Sequence, residues 1–176
     1  NTQYALLGLH AASEVGVPVN AKVWALSRSY WEQYQKPDGS WTYHPDIQAA
    51  SASMTCAGIA SLVITGTRRF QGQEYLEGET IHNCGKGGGN DKLNRAIDWM
   101  SRFFQVGQNF GMGQLWKYYY LYGLERAGRL SGLRFFGQND WYRLGAEELV
   151  HHQDPLNGSW IGAFTERDFP AVTTSF

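Results

Sequence analysis

The strongest constraint on the fold is a short stretch that occurs twice. Gln35-Lys36-Pro37-Asp38-Gly39-Ser40-Trp41 returns near the other end as Gln153-Asp154-Pro155-Leu156-Asn157-Gly158-Ser159-Trp160. Pro presets φ, Asp or Asn bonds to nearby backbone N–H groups, and Gly takes positive φ without steric cost, so each copy reads as a turn. The tryptophan then brings a large apolar ring with one N–H donor to the end of that turn. Each copy follows a stretch with helical apolar spacing, which is the pattern of punctuation in a repeat array. A Gln on the last turn of a helix can reach the loop backbone or the indole N–H and lock the helix end to the element after the turn.

The segments between the turns carry matching marks. Residues 2–15 place Tyr4, Leu7, Gly8, Ala11, Ala12 and Val15 at helical spacing, and Gly16 followed by Pro18 stops that helix. Asn20 then caps a second helix, about 21–35, carrying Val23, Trp24, Trp31 and Tyr34. A small-residue helix from Met54 to Thr65 is expected to stop at Gly66. Its partner starts after Asn90-Asp91 and carries Ile97, Trp99, Met100, Phe103 and Phe104, with a long insertion, Thr67 to Gly89, in between. Gln105 to Gly113 stands where a closing turn is expected but lacks Asp-Gly-Ser-Trp. From near Gly113, Leu115, Trp116, Tyr119, Tyr120, Gly123 and Ala127 trace one face that stops at Gly128. A Gly-containing loop, Arg129 to Gln138, leads to Asn139-Asp140, another cap, and a helix from Trp141 to His152.

Gly16, Gly66 and Gly128 are therefore expected at equivalent places, as are Asn20, Asn90 and Asn139. The expected organisation is one all-α domain over 1–176, with units at about 1–48, 49–113 and 114–168. A fourth unit starts at 169–176, where Pro170 suits the first turn of a helix.

Gln35, Asp38, Gly39, Ser40 and Trp41 resemble, position for position, the QW motif, Gln-x-x-Asp-Gly-Ser-Trp, of the squalene-hopene cyclase, oxidosqualene cyclase and protein prenyltransferase superfamily. The second copy departs from it: its Gln-to-Trp gap is one residue longer and Asn157 replaces Asp. The resemblance implies stacked antiparallel helix pairs forming part of an α/α toroid, terpenoid cyclase/prenyltransferase-like, about half of whose ring this chain carries as a piece of a longer protein. It also implies that Gln35, Asp38, Gly39, Trp41, Gln153, Asn157, Gly158 and Trp160 are structural clamps rather than catalytic groups. Open terminal repeats of such an array expect cover, from the remainder of a longer parent chain or from a second copy.

Composition removes several function classes. Hydrophobic residues make up 43% and charged residues 18%, the balance of a folded domain. A net charge of −1 without a basic block gives no electrostatic footprint for nucleic acid. The longest apolar run, Ala57 to Ile64, is too short for a transmembrane segment. Cys56 and Cys84 leave a disulfide open and the compartment undetermined.

The activities that the resemblance implies each need residues that can be sought in the sequence. Bacterial-type cyclases protonate an alkene with an Asp-x-Asp-Asp acid, whereas Asp38, Asp46, Asp91, Asp98, Asp140, Asp154 and Asp168 are scattered. Prenyltransferases hold zinc with Asp, Cys and His; His82, Cys84 and Asp91 are the right types but crowd one Gly-rich loop, so no metal centre is expected. Cys84-Gly85-Lys86-Gly87 shares only two residues with the Cys-Gly-Glu-Gln thioester motif, and the same loop lacks the P-loop order. Glu74, Glu77 and Glu79 offer paired carboxylates for glycoside hydrolysis, but a solvated acidic loop is the simpler reading. His151-His152, being adjacent, are expected to point apart, and His10 and His44 are isolated.

What remains is an aromatic run on the third unit's first helix. Tyr4, Trp116, Tyr119 and Tyr120 are the candidate pocket residues, for an apolar or isoprenoid ligand held by ring faces. The expected function is a repeat domain without a complete catalytic set or cofactor, acting as a binding or scaffold module of a larger protein. The alternatives are a terpenoid cyclase-type enzyme whose acid lies outside this chain and a polysaccharide-processing α/α-toroid enzyme.

Overall fold

Small side chains on one helix decide how the others are arranged. The computed structural model describes residues 2–44, 46, 49–70, 75–77, 80–82 and 90–162, with only the backbone for 68–70, 75–77 and 80–82. Its elements, in chain order, are α1 (Thr2–Glu14), α2 (Ala21–Gln33), α3 (Ala52–Phe70), β1 (Tyr75–Glu77), β2 (Thr80–His82), α4 (Asp91–Phe103), α5 (Lys117–Ser131), β3 (Phe135–Phe136), β4 (Asn139–Asp140) and α6 (Trp141–His152). The architecture is mostly helical. The strands form two antiparallel hairpins, β1 with β2 and β3 with β4. No helix among the described residues is long and apolar enough to cross a membrane.

Helix α3 packs against α1, α2, α4 and α5, most extensively α5. Its Ala52, Cys56, Ala57 and Ala60 are fully buried. Short side chains let neighbouring backbones approach closely, so one helix can take four partners around its girth. Large rings fill the rest of the core: Trp31, Trp41, Trp99, Tyr120 and Phe136 are buried almost completely. Helix α6 joins this body through α5, where the buried Lys117 ammonium meets Glu148 at 2.5 Å.

The helix starts follow their caps. Asn20 Oδ1 accepts from Lys22 N–H at 2.9 Å, and Asn90 Oδ1 accepts from Leu93 N–H at 3.2 Å. At the third start, Asn139-Asp140, the cap is Asp140, which accepts from Arg143 N–H at 3.1 Å, and not Asn139, the residue expected to match Asn20 and Asn90. Asn139 pairs with Phe136 in the β3–β4 hairpin and donates its amide to the Phe136 carbonyl at 3.0 Å, so the cap moves one residue on.

Two of the three expected glycine stops fall inside helices. Gly16, at φ 88°, does end α1, but α3 runs through Gly66 to Phe70 and α5 runs through Gly128 to Ser131. The left-handed cap of α5 is Gly132, at φ 69°. The interior glycines answer to space. A Cβ on Gly128 would lie 2.2 Å from the Trp141 ring, and one on Gly66 would lie 3.1 Å from the Arg28 guanidinium.

The buried stripe of α1 is also rotated from the expected one. Gln3 and Leu6 are buried, while Tyr4 is 48% exposed and Val15 80% exposed. Gln3 takes the inner position because its amide oxygen finds a donor there, the Tyr119 hydroxyl at 3.3 Å. The fourth unit expected at 169–176 lies outside the described residues, as does most of the insertion that follows α3.

Candidate functional site

Each Gly-Ser-Trp corner is wired to the end of the helix before it, and the two sets of bonds correspond. At the first, Gln35 Nε2 donates to the Gly39 carbonyl at 3.0 Å; at the second, Gln153 Nε2 donates to the Gly158 carbonyl at 2.8 Å. Lys36 N–H donates to Ser40 O at 2.9 Å, and Asp154 N–H to Ser159 O at 2.8 Å. The carboxylate of Asp38 accepts from Ser40 N–H at 3.0 Å, and the amide oxygen of Asn157 accepts from Ser159 N–H at 2.8 Å. Trp41 Nε1 donates to Trp31 O at 2.9 Å and Trp160 Nε1 to Leu149 O at 2.7 Å, each acceptor four residues before the Gln. The extra residue of the second copy is absorbed by Asp154, whose carboxylate takes the Leu156 N–H at 2.8 Å. The indole therefore serves as a C-cap for the helix, and the Gln holds the loop.

The corners differ in surroundings. Trp41 is buried against α3, where Gly58 leaves the notch: a Cβ there would lie 2.4 Å from the ring. Trp160 is only partly buried, and Gln153 is exposed where Gln35 is buried. Burial pushes the Asp38 carboxyl up, but the Ser40 hydroxyl and N–H, the Lys36 charge and the Trp99 indole together outweigh it and leave its pKa below the ordinary aspartate value. A depressed folded-state pKa contributes stability above the unfolded pKa and loses it as pH falls through the folded one. Asp38→Asn, the residue type of the second corner, is expected to unfold more readily than wild type at pH 7. The gap should close as pH drops below about 3.9, the ordinary aspartate value. Urea midpoints of both proteins across that range check it; a gap that widens in acid would reverse the sign.

The loop at 105–113, where a closing turn is expected after α4, instead holds the start of α3. Asn109, fully buried, accepts from Ser53 N–H at 3.0 Å and donates to Ser53 Oγ at 3.0 Å and to Leu115 O at 3.3 Å. It caps α3 from a position far along the chain. Gly111, at φ 82°, lets the loop pass where a Cβ would lie 1.9 Å from Ala50 O. The sequence offered only Gly107 and Gly111 around an Asn as a sign of this role.

Tyrosines from the two sides of α3 meet over it. Tyr4 of α1 stacks on Tyr122 of α5, centroids 5.6 Å apart at 14°, and lies 6.0 Å from Tyr119 at 42°. Tyr43, partly exposed, shares a hydrogen bond of 3.0 Å with Ser53 Oγ. Beneath them Gln3 is buried, and its Nε2 has no hydrogen-bond partner among the described residues. Burial, then the neighbouring phenols, push Tyr119 and Tyr4 above the usual tyrosine range. The face thus offers neutral rings and O–H groups, not a phenolate base.

Of the four pocket residues expected from sequence, Tyr4 and Tyr119 come together. Tyr120 points the other way: it is fully buried and donates its hydroxyl to Gln105 O at 2.6 Å. Consecutive helical residues lie about 100° apart, so Tyr119 and Tyr120 cannot share a face. Trp116 sits at the N-cap of α5 in the left-handed conformation, φ 57°. Tyr122, one turn on from Tyr119, and Gln3 complete the cluster. Apart from this cluster, an apolar hollow of about 200 Å³ opens between α5 and α6, lined by Leu121, Leu124, Trp141, Tyr142, Ala146 and Leu149.

The other candidates stay apart from this face. Cys56 is a free, buried thiol whose pKa burial raises, and Cys84 lies outside the described residues. So do Glu74 and Glu79 and the side chains of Glu77 and His82. Among the described residues no three His, Cys, Asp or Glu side chains are grouped to hold a metal ion. His151 and His152 touch edge to face at 5.1 Å rather than pointing fully apart, and His44 pairs with Asp46 at 3.1 Å. Scans of the chain against protein-family models, curated proteins and solved structures returned no match.

Proposed function

We propose that this chain is a helix-pair repeat module of the squalene cyclase/prenyltransferase-like kind, part of an α/α toroid, and that it binds rather than catalyses. The bond-for-bond agreement of the two corners supports the repeat reading. The observation that carries the binding role is the convergence of Tyr4, Tyr119 and Tyr122 from two helices into one partly exposed aromatic face, with the Arg126 guanidinium 5.5 Å from the Tyr122 ring at its edge. Such a face suits an apolar ligand of isoprenoid type, whose flat alkenes and methyl groups stack on rings. Burial keeps the Tyr4 and Tyr119 phenols neutral, so they offer O–H groups rather than phenolates to a ligand.

The test is a titration with farnesol, followed by intrinsic fluorescence. Saturable binding is expected. Tyr4→Ala is expected to weaken it about three- to tenfold, since one aromatic contact contributes roughly 0.5–1.5 kcal/mol. Ala146→Trp, which fills the hollow between α5 and α6, should leave it unchanged. Absence of binding, or loss through Ala146→Trp but not Tyr4→Ala, would remove the tyrosine-face reading, and a cyclised product would remove the non-catalytic one.

A further inference from the structure

The first corner does more than close its own helix: it seats the next one. Gln35 Nε2 also donates to Lys92 O at 2.7 Å, and the Arg95 guanidinium donates to Gln35 Oε1 at 3.4 Å. Lys92 Nζ donates to Glu32 O at 2.8 Å. Gly39 lies so close that a Cβ on it would be 2.3 Å from Arg95 O. All these partners sit on the first two turns of α4. At the second corner the inward bonds are repeated, but the outward half is bare among the described residues. Gln153 is exposed, and a Cβ on Gly158 would meet only the Gln153 side chain. Leu156 is 94% and Val150 73% exposed there.

Elsewhere in the molecule a helix start matches that of α4. Asn20-Ala21-Lys22 begins α2 as Asn90-Asp91-Lys92 begins α4, each with the Asn side chain as cap. Among the described helices only α2 shares this Asn-x-Lys start with α4, and Ala21, Lys22 and Ala25 are exposed beside Leu26, 69% exposed. We propose that the second corner seats the first turns of α2 from a second copy of this chain, head to tail, as the first corner seats α4. Gln153 Nε2 then donates to the Lys22 carbonyl, the Lys22 ammonium to the Val150 carbonyl, and Ala25 lies over Gly158. Positions correspond one to one: Lys22 and Ala25 follow their cap as Lys92 and Arg95 follow theirs, and Val150 precedes Gln153 as Glu32 precedes Gln35. The contact joins two different surfaces, so it either closes a ring or extends a row. It rests on the corner geometry and is independent of what the tyrosine face binds.

Sedimentation velocity of the 176-residue chain, from low micromolar to near-millimolar concentration, is expected to show reversible association. Gln153→Ala, an exposed change, should weaken it about fivefold, the loss of one hydrogen bond. Cross-linking gives the orientation. Asn157 corresponds to Asp38, and Ser29 to Trp99, whose indole bonds the Asp38 side chain. In a Cys84→Ser background, a short bismaleimide should join Asn157→Cys chains to Ser29→Cys chains only when the two are mixed. A monomer at every concentration, association indifferent to Gln153→Ala, or equal cross-linking within either variant alone would overturn the proposal.

Discussion

Trp41→Ala is expected to cost about 4 kcal/mol of folding stability, and Trp160→Ala only about 1–2 kcal/mol, although the two residues hold the same place in the same corner. The difference lies in what surrounds them. Trp41 is 2% exposed, set in the Gly58 notch of α3 and edge-on to Trp31 at 5.9 Å. Truncation there leaves a cavity between packed helices and takes the donor from the buried Trp31 carbonyl. Trp160 loses the matching bond, to Leu149 O, but at a partly exposed site that water can enter. Because about 4 kcal/mol approaches the whole stability of many domains, Trp41→Phe serves as the milder variant, expected to lose about 2 kcal/mol. Urea unfolding followed by helix circular dichroism measures all three. Equal losses at Trp41 and Trp160 would mean that the indole bond, not the packing, sets the cost.

The second large effect is expected at Gly39. Gly39→Ala meets two penalties: a φ of 96°, which L side chains rarely adopt, and the Arg95 carbonyl oxygen 2.3 Å from the new Cβ. The first costs about 1–2 kcal/mol and the second about 1–3 kcal/mol, since backbone rather than a flexible side chain must move. Among the described residues Gly158→Ala at φ 70° meets only the Gln153 side chain at 3.6 Å, an ordinary contact, so the conformational penalty is the expected cost. For a chain of this size the melting temperature should fall by about 4–20 °C for Gly39→Ala and about 2–8 °C for Gly158→Ala. The difference between the paired variants measures how tightly the first corner is seated on α4. Calorimetry that finds the two equal would show that α4 gives way at little cost.

Much of the candidate site was legible, but unevenly. The corner residues could be named because each acts on backbone only a few positions away: Asp38 on Ser40, Asn157 on Ser159, Gln35 on Gly39. The tyrosine face was half legible. Tyr4 and Tyr119 were candidates by type, and helical geometry parts Tyr119 from Tyr120, but packing across α3 decides that Tyr119 lies on the face while Tyr120 is tied to Gln105 in the core. Gln3 gave no sign of burial, since its partner hydroxyl belongs to Tyr119, more than a hundred residues later.

The same division runs through the whole fold. Turn chemistry, the Asn20 and Asn90 caps and the mostly helical character follow from the residues alone, because short-range sterics and hydrogen bonding decide them. Tertiary contacts decided the rest. Gly66 and Gly128 look like stops and instead lie within helices; at Gly128 the Trp141 ring takes the space a side chain would fill, and at Gly66 the end of the Arg28 side chain lies alongside. Asn109 looks like a loop residue and instead caps α3. A glycine ends a helix when no neighbour holds that helix together, and it continues one when a partner needs the room; only the assembled helices determine which condition applies.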